Sequence, residues 1–164
     1  MKLEFTNQQM KLAHVNVRSE LHGEEREAAS DIKFEANLPN DILSELHPSL
    51  KSALYHYDTG RPDLAEQGKK PEPGFLPHLK FDKLAGDLRW NDEMTGATIA
   101  ILVPGSKKAI QIEDGKVNNV KLTPKEGGTV AFSFRFQCHP DEKIFGALAT
   151  LVQTDVNVTL SGAE

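Results

Sequence analysis

The feature that most constrains this chain is a two-residue alternation of apolar and polar side chains. Phe132, Phe134 and Phe136 stand at i, i+2 and i+4 within Thr129–Cys138, with Ser133, Arg135 and Gln137 between them. Successive strand residues point to opposite faces, so such a segment has one buried and one wet face. We expect it to be the longest strand. In Lys11–Arg18, Ala13, Val15 and Val17 are expected to face inward, alternating with His14, Asn16 and Arg18. Ile32, Phe34 and Ala36 alternate with Lys33 and Glu35, and Val156, Val158 and Leu160 close the chain within Asp155–Leu160. Thr98–Val103 is an almost wholly apolar strand, Ala109–Glu113 turns Ile110 and Ile112 inward, and Val117–Leu122 follows. Lys2–Thr6 is a short strand with Leu3 and Phe5 on one face.

Turn chemistry separates these runs. Gly23 marks the polar tip of a hairpin spanning Leu21 to Ala29. Asp114-Gly115 reads as a two-residue hairpin turn. Pro104-Gly105 and the stretch Pro124 to Gly128 end two further strands. Helices are fewer. Asn40 is placed to cap a piece over 41–46, and Pro48 opens another over 48–56, since proline is tolerated only at a helix start. Their buried stripe would be Ile42, Leu43, Leu46, Leu50, Ala53 and Leu54. A third helix begins with Pro140 at its first position and Asp141 and Glu142 in its first turn; Ile144, Phe145, Leu148, Leu151 and Val152 form its apolar face.

These elements predict an α+β protein, mainly antiparallel β-sheet and sandwich-like, with two or three short helices. Lys33–Asp41 and Arg135–Asp141 each lead a strand through proline into a helix, which suggests two similar β-then-helix halves. Proline both stops strands and starts helices, so this junction also arises without duplication. With 164 residues, a chain buries roughly 70% of its unfolded surface, and one domain over 1–164 is expected. A Pro/Gly-rich segment, 58–80, would be a mobile loop between the halves, with Phe75, Leu76 and Leu79 tacking its end to the core.

The net charge of −5 argues against a protein that coats DNA generally. Cys138 is the only cysteine, which excludes an internal disulfide and a cysteine-based zinc cluster. Met1–Met10 lacks the apolar core of a signal peptide, and Ile99–Val103 is the longest apolar run, so a cytoplasmic protein is expected.

No stretch of sequence completes a catalytic, cofactor or metal site, and none is expected. Cys138 and His139 are neighbours on a strand and point apart, which separates a would-be nucleophile from its base. His56 with Asp58, and His22 with Glu24, have strand-like spacing for a shared metal face, but nothing nearby adds further ligands. Glu24, Glu25 and Glu27 read as a solvated hairpin tip. The Phe132, Phe134 and Phe136 stripe could stack single-stranded bases, yet that would bury Ser133, Arg135 and Gln137, so the phenylalanines are assigned to the core. The residues that would make a binding surface are Arg61, Lys69, Lys70, Lys107, Lys108, Lys121 and Arg135.

The stretch Asn119–Val130 (NVKLTPKEGGTV), then Gln137-Cys138-His139-Pro140-Asp141, together with Asn37–Leu46, resembles a family of small bacteriophage and prophage proteins to which no activity is attached. The resemblance covers most of the chain. It implies a bacterial host cell during infection and an accessory binding role. From it and from the residues we expect a non-enzymatic protein that binds a host or phage protein. The alternative is a single-stranded nucleic-acid-binding accessory protein in phage DNA metabolism, and a third reading is a hydrolase or nuclease with a metal site assembled across the fold. No membrane partner is expected, and homo-oligomers are an open option because sheet edges invite pairing.

Overall fold

The computed structural model describes residues 1–60 and 72–163. Its strands are β1 (Phe5–His22), β2 (Glu25–Pro39), β3 (Tyr55–His56), β4 (His78–Leu79), β5 (Leu88–Trp90), β6 (Met94–Leu102), β7 (Ala109–Lys125), β8 (Thr129–Cys138) and β9 (Thr154–Ser161). Its helices are α1 (Ile42–Leu46), α2 (Leu50–Leu54) and α3 (Glu142–Leu151).

The expectation of an α+β, sandwich-like protein is wrong: the chain is mostly β, with 55% strand and 13% helix. Strands run in the order β7-β6-β9-β1-β2-β8, and β8 pairs back onto β7, closing a six-stranded antiparallel barrel. Both architectures present one apolar face per strand, so alternation cannot separate them; the β7–β8 ladder decides. That ladder runs from Lys116↔Gln137 to Lys125↔Thr129. Inside lie Leu12, Ile32, Phe34, Ile99, Ile101, Val117, Val156 and Val158, together with Phe132, Phe134 and Phe136. The phenylalanines are core, as read from sequence. Phe34 stacks on Phe134 with ring centroids 5.2 Å apart, and Phe5 lies 5.8 Å from Phe134.

Closure needs bent strands, and the bends are bulges. Asp114-Gly115 is not a hairpin turn: β7 runs straight through it. Ala97 pairs with Gly115 and Ile99 with Ile112, so β7 carries one extra residue there. Asp114 takes a left-handed φ of 53°. Asn7, Gly96 and Asn119 have positive φ at three more register shifts, in β1, β6 and β7. Aspartate, asparagine and glycine tolerate this backbone best, which is also why they mark turns. A further shift between Leu12 and His14 in β1 interrupts the alternation expected there. Leu12 and Ala13 are both buried, Val15 is half-buried and Val17 is exposed.

The two long strands, β1 and β7, each outlast β8. The charged tip expected over Leu21–Ala29 shrinks to a turn at residues 23–24, since pairing continues to His22↔Glu25. α1 starts after Asp41, not Asn40. Asn40 instead ties the base together: its backbone N–H donates to Gly128 O and its side chain to Leu76 O, at 2.9 and 2.8 Å. α2 buries no residue, so Ala53 does not join the stripe. α3 is capped by Asp141, whose Oδ1 accepts from Ile144 N–H at 2.8 Å, leaving Pro140 just outside the helix.

Residues 61–71 of the expected 58–80 loop lie outside the described residues; its far end forms β4, paired with β3. Leu76 and Leu79 pack on the core as expected, whereas Phe75 stays exposed. The two junctions, β2 to α1 and β8 to α3, exist. They do not divide the barrel evenly, because the first half supplies two of its strands and the second four.

Candidate functional site

The first candidate surface is the outer wall formed by β1, β2, β8 and β7. Register places Asn118, Arg135, Lys33 and His14 in one row, and Lys121, Ser133, Glu35 and Lys11 in the next. A groove of about 650 Å³ runs along the second row, lined by residues including Lys11, Lys33, Glu35, Lys121, Asp87 and Asp155. Its charges are mixed. Lys33 Nζ lies 2.6 Å from Glu35 Oε1, so part of the positive charge is already answered.

Above the groove a hydrogen-bonded chain crosses four strands. Arg18 grips Asp31 with two bonds, Nε to Oδ2 at 2.8 Å and Nη2 to Oδ1 at 3.0 Å. Its third nitrogen, Nη1, donates to Glu20 Oε1. Gln137 Nε2 donates to Asp31 Oδ1 at 2.9 Å, Asn118 Nδ2 to Gln137 Oε1 at 2.7 Å, and Arg135 Nε to Asn118 Oδ1 at 2.8 Å. Burial acts to raise the Asp31 pKa, but the Arg18 and Gln137 bonds outweigh it and hold the carboxyl below its ordinary range. The network satisfies Asp31 and Asn118, both nearly buried polar groups.

The second candidate is a two-stranded ribbon. β1 pairs with β9 only up to Leu12, and β2 pairs with β8 only from Ser30. Between these points and the turn, β1 and β2 pair with each other alone among the described residues. The ribbon therefore projects from one end of the barrel. Val17 and Leu21 lie on one of its faces, 60% and 70% exposed. Arg18, Glu20 and His22 occupy the other face. There His139, at the end of β8, meets Glu20, with Nε2 3.0 Å from Oε2. The His139 bond, and then that from Arg18, lower the pKa of Glu20.

The residues expected to bind are not one surface. Lys121 and Arg135 do share the outer wall. Lys107 and Lys108 sit in the β6–β7 turn at the ribbon's end of the barrel, in neither row of the wall. Arg61, Lys69 and Lys70 lie outside the described residues. His22 lies near Glu20 and Glu27 (3.9 and 3.6 Å) rather than sharing a face with Glu24. Cys138 and His139 do point apart: the thiol is buried, and burial pushes its pKa up to about 12. Sequence reading missed the Arg18–Asp31 pair and the meeting of Glu20, His22 and His139. The spacing of Glu20 and His22 was a local signal, but His139 lies 119 residues from Glu20. No helix of the described residues is long and apolar enough to cross a membrane.

No protein-family model, no curated protein and no solved structure matches this chain.

Proposed function

We propose that this is a non-enzymatic accessory protein that acts by binding another protein, and that the β1–β2 ribbon is the part that engages it. One observation carries the reading. Beyond the Val17–Ser30 row the ribbon projects with both edges lacking a third strand among the described residues, and Val17 and Leu21 are exposed on one face. Unpaired strand edges are templates for a further strand, and natural proteins shield them unless they are used. The resemblance to phage and prophage proteins supports a partner in the cytoplasm of a bacterial host. A second copy of this chain would satisfy the same chemistry.

A photo-crosslinking residue at Leu21, with one at exposed Ser44 as control, tests this in bacterial cells. The expected result is a discrete protein adduct from position 21 only, abolished by Val17→Glu. Adducts equal at both positions, or none at 21, would overturn it.

The nucleic-acid reading rests on a specific juxtaposition, Lys33 directly across from Arg135 with Lys121 on the same wall. Against it stand the Glu35, Asp87 and Asp155 carboxylates in the groove and the commitment of Arg135 to Asn118. Fluorescence anisotropy with a single-stranded oligonucleotide across a salt series is expected to show no binding. Salt-steep binding lost in Arg135→Ala and Lys121→Ala would make nucleic acid the partner.

A further inference from the structure

Glu20 and His22 are two residues apart on β1 and so share a face of the ribbon. Glu27 is the cross-strand partner of Glu20. His139 follows the last residue of β8, where Pro140 turns the chain away from the sheet. The ribbon thus folds its polar face toward the rim of the barrel, and three side chains meet there, with Glu27 beside His22. His139 Nε2 is 3.0 Å from Glu20 Oε2. His22 Nε2 is 3.9 Å from that same oxygen and 3.6 Å from Glu27 Oε2. The ligating atoms of Glu20, His22 and His139 all lie within 4.8 Å of one another.

These separations have a chemical meaning. An ion bound tetrahedrally at about 2.0–2.1 Å holds its ligand atoms about 3.4 Å apart. The observed 3.0, 3.6 and 3.9 Å straddle that spacing, and small rotations of exposed side chains would close the difference. Two imidazoles with a carboxylate form a donor set suited to zinc rather than to calcium or magnesium, which prefer oxygen alone. Glu20 is also oriented from behind. Its Oε1 accepts from Arg18, and Arg18 is itself gripped by Asp31. Such outer partners fix a ligand's orientation and leave the other oxygen, Oε2, turned toward the two histidines.

We infer that Glu20, His22 and His139 form a binding site for Zn²⁺, with Glu27, which here reaches only His22, rotating in as fourth ligand. The ion joins the ribbon to the barrel rim, because His139 belongs to the end of β8 and the other three to the ribbon. The four residues lie apart from the groove along the outer wall and bridge two elements, and the role assigned is structural: the ion sets the ribbon's pose. The inference does not depend on what the ribbon binds. The competing account is a histidine–carboxylate hydrogen-bond cluster that needs no ion.

The test is titration of the chelator-treated full chain with ZnCl₂ at neutral pH, followed by calorimetry and by competition with a chromophoric chelator. We expect one ion per chain with micromolar affinity. His22→Ala, His139→Ala and Glu20→Gln should each weaken binding about tenfold or more. His14→Ala, on the same strand but outside the cluster, should not. Circular dichroism confirms that each variant is folded, and slower proteolysis of the ribbon on adding Zn²⁺ gives an independent readout. Absence of uptake by the folded wild-type chain, or uptake unchanged in the His22→Ala/His139→Ala double variant, would overturn the site.

Discussion

Gly115 is the described glycine that a neighbouring side chain covers most closely, and replacing it measures how tightly the Phe136 ring of β8 lies over β7. Gly115 is buried beside Val117, whose cross-strand partner is Phe136. A Cβ built there would stand 2.5 and 2.6 Å from Phe136 Cε1 and Cε2, and closer still to Cζ. Phe136 is fully buried, so its ring has no solvent to retreat into. Forcing one extra carbon into a packed core costs about 1–3 kcal/mol. Alanine regains about 0.5–1 kcal/mol over glycine in a strand, leaving a net loss of about 1–2 kcal/mol for Gly115→Ala. In a chain of this size each kcal/mol lowers Tm by about 2–4 °C, so a fall of about 2–8 °C is expected by calorimetry. A double-mutant cycle isolates the contact. Phe136→Leu alone should destabilise by about 1 kcal/mol through lost packing. Combined with Gly115→Ala it should cost less than the sum by about 1 kcal/mol, because the smaller side chain makes room for the methyl. Strict additivity, or a Gly115→Ala variant melting with the wild type, would refute the ring-over-glycine packing and with it this account of how the β7–β8 seam closes.

Two further outcomes follow from the wall and the rim. Because the folded-state pKa of Asp31 is depressed, its contribution is present above the unfolded carboxyl pKa of about 3.9 and is lost as pH falls through the lower folded value. Tm measured from neutral to acid should therefore fall on acidification, and Asp31→Asn should flatten that fall while lowering Tm at neutral pH; an unchanged slope would mean that Arg18 does not hold the carboxylate. Cys138, buried and with its thiol pushed up to about 12, should resist alkylating reagents in the native protein and react fully in denaturant, with a native rate that tracks unfolding. Rapid labelling of the folded chain would place it nearer the surface.

Much of the fold was legible because burial on one strand face leaves a direct trace in sequence. Phe132, Phe134 and Phe136, and Val156, Val158 and Leu160, face the core as their spacing requires. α3 was legible from its apolar face and its acidic first turn, although the cap is Asp141 and Val152, expected on that face, lies exposed past the helix end. One error has a clear local origin. Asp114-Gly115 carries the chemistry of a turn, and a turn and a bulge make the same local demand for left-handed backbone. Whether the chain reverses there or merely kinks depends on β6 and β8, which lie on either side of it.

The sequence alone determined which side of most strands is apolar, β1 beyond its bulge excepted, because that is a property of a residue and its near neighbours. It also determined that Cys138 and His139 point apart. Only the tertiary structure decided that the sheet closes. Closure is a pairing between β7 and β8 that builds on the accumulated bend of several bulges, and no single segment encodes their sum. The same holds for the rim cluster. Glu20 and His22 share a face by local geometry, but His139 reaches them only because the barrel brings the end of β8 under the ribbon. Ligand sets and polar networks depend on side-chain positions in space, and chain separation carries no information about those.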